Sequence, residues 1–139
     1  LSYKRIMGLD VGDRRIGIAV SDLLMLTAQG VESYTRRSEA EDIAYIGKLV
    51  KEWEVSKIVC GLPVNMNGTE GEQAQKTRLF ARNLEEKLAL KIDFFDERLT
   101  TASAHRTLLE ADMSRAKRKK VVDKVAAVYI LQAYMDKVK

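Results

Sequence analysis

Three carboxylates far apart in the chain, Asp10, Glu97 and Asp123, stand where an acid needs a partner or a ligand. Asp10 closes the apolar stretch Ile6-Met7-Gly8-Leu9, where a strand leaves the core, and Gly8 and Gly12 permit close backbone approach. The same place also suits the opening of a hairpin turn. Asp96-Glu97-Arg98 follows Phe94-Phe95, again beyond the end of an apolar strand. In open α/β sheets ligands bind beyond the carboxyl ends of the parallel strands. A helix start, with Thr100 or Thr101 as cap, is the competing explanation, and it accounts for Asp96 better than for Glu97. Asp123 has Ala126, Ala127 and Ile130 at i+3, i+4 and i+7, which puts it on the inward face of a helix. Attraction to the helix N-terminus, about 0.3–1 kcal/mol, is small against the cost of an unpaired charge on such a face. Three acids that converge repel one another unless a divalent cation joins them, and all-oxygen ligation suits Mg²⁺ or Mn²⁺. One or two such ions are expected. Two ions roughly 3.5–4 Å apart clamp a phosphodiester, one activating water and the other stabilising the leaving oxygen. The chemistry expected of the trio is metal-dependent phosphodiester hydrolysis.

A polyanionic substrate needs cations beside such a site. Arg115-Ala116-Lys117-Arg118-Lys119-Lys120 carries five in six residues and leads directly toward Asp123. Alone, such a run reads as a solvated face; beside the acids it reads as a nucleic-acid contact with strong salt dependence. The polar, Gly-rich segment Asn65 to Gly71 follows an apolar strand as Glu97 does. Asn67 and Thr69 are therefore candidate contacts to phosphate or sugar, with Gln73, Lys76 and Arg78 on the same edge. Arg98 is ambiguous, with either Asp96 or Asp10 as its partner. His105 reads as an ordinary helix histidine and Trp53 as a core residue.

The elements that must position these groups follow from periodicity. Strands are expected over Lys4 to Asp10, Arg15 to Ser21 and Gly30 to Tyr34; the first two are too close in sequence to pair other than antiparallel. A helix from about Glu39 to Glu54 places Ile43, Ile46, Leu49, Val50 and Trp53 on one face. Lys57 to Leu62 is a strand buried on both sides. A loop over Asn65 to Gln75 leads into a helix from about Ala74 to Leu88, which buries Leu79 or Phe80 with Leu84 and Leu88. Ile92 to Phe95 is a fifth strand. Thr101 to Ala111 and Val121 to Val138 are helical. The order βββαβαβαα predicts an α/β mixed sheet, with three antiparallel strands and then alternating helices and parallel strands, and helices on both faces.

At 139 residues, with 46% hydrophobic and 32% charged residues and a net charge of +4, the chain suits one domain over 1–139. No apolar run approaches the roughly 20 residues that span a bilayer, and no signal-peptide pattern stands at the start. One cysteine, Cys60, and one histidine leave no Cys/His zinc site. The expectation is a cytoplasmic protein with no membrane partner.

Taken in order, Gly8-Leu-Asp-Val-Gly12, Gly61-Leu-Pro-Val-Asn-Met-Asn-Gly-Thr-Glu-Gly71, Asp96-Glu-Arg-Leu-Thr-Thr101, Lys117-Arg-Lys-Lys-Val-Val-Asp-Lys-Val-Ala-Ala127 and Ile130-Leu-Gln-Ala-Tyr134 span nearly the whole chain. Together they resemble the YqgF (RuvX) family of bacterial proteins, described as pre-16S rRNA nucleases and earlier as Holliday junction resolvases. The resemblance implies a ribonuclease-H-like fold whose metal-binding acids correspond here to Asp10, Glu97 and Asp123. It favours pre-rRNA as substrate, with cleavage at the 5′ end of the 16S precursor in ribosome biogenesis and pre-ribosomal particles as partners. A resolvase of branched DNA, which would act as a homodimer rather than a monomer, is the near alternative. A non-catalytic ribosome-assembly factor is a further one. Gly8-Leu-Asp-Val-Gly12 by itself also resembles the phosphate loop of sugar kinases and actin-like ATPases, a fold that needs two such domains to enclose a nucleotide.

Overall fold

In the computed structural model, residues 4–100 and 115–138 are described, with side chains in the final helix from Lys124 onward. The short Gly12-Asp13-Arg14 connection folds β1 (Arg5–Val11) directly onto β2 (Arg15–Ser21), as its length requires. β3 (Ala28–Thr35) continues the antiparallel meander on the far side of β2. The chain then crosses through α1 (Glu39–Glu52) to β4 (Val55–Leu62), which pairs parallel to β1, and through α2 (Glu72–Leu88) to β5 (Ile92–Asp96), parallel to β4. The sheet order is β3-β2-β1-β4-β5. A 3-10 turn at Glu97–Leu99 ends β5, and α3 (Arg115–Val138) is the last helix.

Alternation along the strands divides the core between the two faces of the sheet. Met7, Leu9, Ile16, Ile18, Ile58 and Cys60 pack beneath α1 and α2, against Ile43, Ile46, Phe80 and Leu84. On the opposite face, Ile6, Ala19, Val59 and Phe95 meet Ala126, Ala127, Ile130, Leu131 and Met135 of α3. Fully burying a large aliphatic side chain of this kind contributes about 1.5–3 kcal/mol. The α/β mixed sheet with helices on both faces is thus the architecture expected from the sequence, and Phe80, not the exposed Leu79, is the core residue of α2.

Several boundaries differ from expectation for identifiable reasons. α1 stops at Glu52, because Trp53 caps it and Glu54 takes a left-handed φ of 53°. Trp53 packs at the core margin beneath the Arg5 guanidinium, 5.5 Å from the ring centroid. The segment after β4 is less open than a plain loop. Val64 and Glu70 form an antiparallel bridge around a turn in which Gly68 has φ +88°, and α2 already begins at Glu72. α3 begins at Arg115, six residues ahead of the expected Val121, so the basic run forms its first turns. The helix expected over 101–111, with His105, lies outside the described residues.

Candidate active site

Asp10 and Glu97 reach the same end and the same face of the sheet although β4 separates their strands. In β1, Ile6, Gly8 and Asp10 alternate with the residues that face α1 and α2, so Asp10 projects on the α3 side. The parallel ladder pairs Leu9 with Cys60, and one further step sets Asp10 level with Gly61, whose own partner in β5 is Phe95. Glu97, two residues beyond Phe95, turns back over Gly61: a β-carbon placed there would lie 3.2 Å from Glu97 Cγ. Asp10 is 9% exposed and Glu97 7%, and both are engaged in interactions. Burial pushes the Cys60 thiol up to about 12, and the nearby Asp10 charge adds to that rise.

The strand glycines seat α3 against this floor. A β-carbon on Gly8 would fall 2.7 Å from Leu131 Cβ and 3.1 Å from the Ala127 carbonyl, and one on Gly61 only 2.4 Å from Ile130 Cδ1. Farther along, Tyr134 donates to Asp93 at 2.6 Å and receives a hydrogen bond from Lys57 at 2.9 Å, at the opposite ends of β4 and β5. α3 therefore runs antiparallel to β1, β4 and β5. Asp123 stands one helical turn before Ala127, in the direction that leads along β1 from Gly8 toward Asp10. Its side chain, and those of Arg115, Lys117, Arg118, Lys119 and Lys120, lie outside the described ones.

Asp96 and Glu97 divide their duties. Asp96 caps the 3-10 turn, accepting from the Arg98 amide at 2.9 Å. Its carboxylate also holds the Arg98 guanidinium, with Nη2 at 2.7 Å and Nε at 3.0 and 3.1 Å, and that pairing keeps it below the ordinary carboxylate range. Arg98 thus pairs with Asp96, and it extends Nη1 to the Met66 carbonyl at 3.3 Å. In the turn, the Asn67 side-chain oxygen accepts from the Thr69 amide at 3.1 Å and from the Thr69 hydroxyl at 2.6 Å, so the two candidate contacts also shape their own turn. Arg78 is drawn to Glu70, at 2.6 and 2.8 Å, and Lys76 to Asp13 and Glu72.

A layer of which sequence reasoning named only Gln73, and that as an edge residue, supports the end of β1. Arg36 donates to the Gly12 carbonyl at 3.0 Å and to Asp42 at 2.9 Å, and Gln73 reaches the Val11 carbonyl at 3.3 Å. Asp42, 1% exposed, also accepts from the Tyr34 hydroxyl and the Arg37 amide. The inward position of Asp42 among Ile43, Ile46 and Leu49 on α1 was the available signal.

Among the described residues no group of three His, Cys, Asp or Glu side chains could hold a metal, and none of their helices is long and apolar enough to cross a membrane. Asp10 and Glu97 nevertheless suit a hard cation. They are buried oxygen donors with no thiol or imidazole beside them among the described residues on their face, and Gly61 lets Glu97 fold back close over β4.

The sheet order and the helices on its two faces are those of a ribonuclease-H-like fold. The fold is similar to Thermus thermophilus RuvC in complex with Holliday junction substrate, with a TM-score of 0.58 at 10% identity over 97% of this chain and 96% of that one. It is also similar to the yeast mitochondrial Holliday junction resolvase Ydc2, with a TM-score of 0.52 at 11% identity over 96% and 78% of the two chains. The sequence profile of RuvX, described as Holliday junction resolvase, matches residues 4–137, and the chain belongs to that family. A relative from Heliobacterium modesticaldum is 58% identical over 95% of this chain and 89% of its own length. Another from Clostridium novyi is 56% identical over 96% and 99%. Both carry the provisional name of pre-16S rRNA nuclease.

Proposed function

We propose that the domain spanning 1–139 is a divalent-metal-dependent nuclease that hydrolyses phosphodiester bonds at Asp10, Glu97 and Asp123. The observation that carries this reading is that Asp10 and Glu97, both at least nine-tenths buried, stand at one end and on one face of the sheet, Asp10 level with Gly61 and Glu97 folded back over it. These two, with Asp123 from α3, would hold Mg²⁺ or Mn²⁺, which when bound supplies an activated water and neutralises charge on the cleaved phosphate. Through the ion they hold, the carboxylates would fix the position of the scissile phosphate, and the first turns of α3 would bring cations to the flanking phosphates. Asn67 and Thr69 would border the strand's path.

RNA is the substrate favoured by the names of the relatives, pre-16S rRNA nuclease; we propose the cut at the 5′ end of the 16S precursor, within pre-ribosomal particles in the cytoplasm. Purified protein incubated with Mg²⁺ or Mn²⁺ and a pre-rRNA fragment is expected to cleave it, and Asp10→Asn and Asp123→Asn to abolish the cut. Unchanged cleavage by either variant overturns the mechanism. Resolution of branched DNA is favoured by the description of the family profile and by the RuvC-like fold. It requires paired cuts by a homodimer, so a monomeric protein inert on a four-way junction excludes it.

A further inference from the structure

A cleft of about 500 Å³ opens beside Glu97. Pro63 and Met66 line one side, Gly71 and Gln73 at the start of α2 another, and Arg98 borders it next to Glu97. The volume lies in the range filled by small ligands, suited to one nucleotide and far too small for a duplex. Arg98 is unusually placed within it. Three contacts of 2.7–3.1 Å to Asp96 and one of 3.3 Å to the Met66 carbonyl use the guanidinium's edge. Asp96 compensates its charge and fixes its plane. A guanidinium so held is a poor anchor for a mobile phosphate, but its face is a ready surface for a nucleobase, since unstacked bases in single strands settle on such planes.

We propose that this cleft is a subsite for one unpaired nucleotide adjoining the cleaved bond, with its base stacked on the Arg98 guanidinium. The proposal rests on the nuclease reading above and deepens it: the substrate is single-stranded at the cut. Because Glu97 lines the same cleft, a base held there belongs to a nucleotide beside the phosphate at the carboxylates. Gly71 keeps the cleft open. Its φ of −85° suits any residue, and an added β-carbon would meet Asn65 at an ordinary 3.5 Å. A larger side chain at this position therefore fills the cleft without backbone strain.

The test uses the full chain and a single-stranded RNA carrying 2-aminopurine at successive positions, in EDTA so that the strand stays whole. Stacking should quench the fluorescence at one or two positions, and the same RNA annealed to its complement should show no such quenching on binding. Arg98→Lys keeps the charge but loses the plane, and Gly71→Leu occupies the space. Each should weaken single-strand affinity on the order of 10-fold to 100-fold and restore the fluorescence, while duplex affinity stays unchanged. Thermal melting reports whether each variant is folded, and Gly71→Leu decides should Arg98→Lys unfold. Equal affinity for duplex and single strand, or persistent quenching in a folded variant, overturns the subsite. Cleavage of pre-rRNA with no quenching at any position overturns the subsite and leaves the nuclease standing. Quenching that disappears in both variants, from a protein that cuts nothing with metal, supports the subsite and sinks the nuclease reading.

Discussion

The backbone of Gly61 lies so close to Ile130 that a methyl group on it would fall 2.4 Å from Cδ1 and 3.2 Å from Cγ of Glu97. The packing of α3 and the placing of one candidate metal ligand therefore meet at a single residue. Gly61→Ala should destabilise the fold by about 1–3 kcal/mol, the usual cost of overpacking, and reduce cleavage even at temperatures where the variant is folded. Thermal denaturation and cleavage rates on one preparation check this. Full activity in a destabilised variant would show that Glu97 does not depend on the spacing.

Neighbouring acids should respond very differently. Glu97→Gln is expected to lower cleavage on the order of a thousandfold, several kcal/mol of transition-state stabilisation. Asp96→Asn releases Arg98 without touching the proposed metal ligands, so its loss should stay within about 10–100-fold. Metal titrations should show weakened binding for the first variant only.

Acid should weaken the fold through Asp42. Burial pushes this carboxyl up, but the Arg37 amide, the Arg36 guanidinium and the Tyr34 hydroxyl outweigh it and hold it below its ordinary value of 3.8. The stability it contributes is complete above that ordinary value and disappears as pH falls through the lower folded one. Asp42→Ala, which breaks a buried pair, should cost roughly 3–5 kcal/mol at neutral pH. Urea unfolding as a function of pH checks both statements, and the variant's stability should fall less steeply below pH 4 than the parent's.

Salt should report on the first turns of α3. Replacing Lys117, Arg118, Lys119 and Lys120 with Gln should reduce the slope of log affinity against log salt by up to about 0.7 per charge on a single strand. Fluorescence anisotropy across a salt series measures it. An unchanged slope would assign the run to solvent.

Much of this architecture was legible because its signals are local. The Gly12-Asp13 turn dictates a hairpin, and Ile58-Val59-Cys60 marks a buried central strand. Asp10 and Glu97 could be paired because each follows an apolar run, although the intervening β4 could not be foreseen from periodicity. What stayed hidden depends on partners distant in sequence. Asp42 shares the inward face of α1, but its partners, and Arg36's hold on Gly12, appear only when the fold brings Gly12 and Tyr34 to them. The early start of α3 was obscured because a run of like charges carries no apolar period to mark a helix.

The face of the sheet built from Ile6, Ala19, Val59 and Phe95 is covered by the last helix. During synthesis the first strand leaves the ribosome long before the residues that must cover it. Until α3 docks, the nascent chain shows an open apolar surface, and Asp10 would lack the partner proposed for it from the last helix. Such a half-covered sheet invites association with other chains. On the proposed mechanism the same delay would keep cleavage from arising before the last helix is made, so that an unfinished chain would not cut RNA at the ribosome's exit.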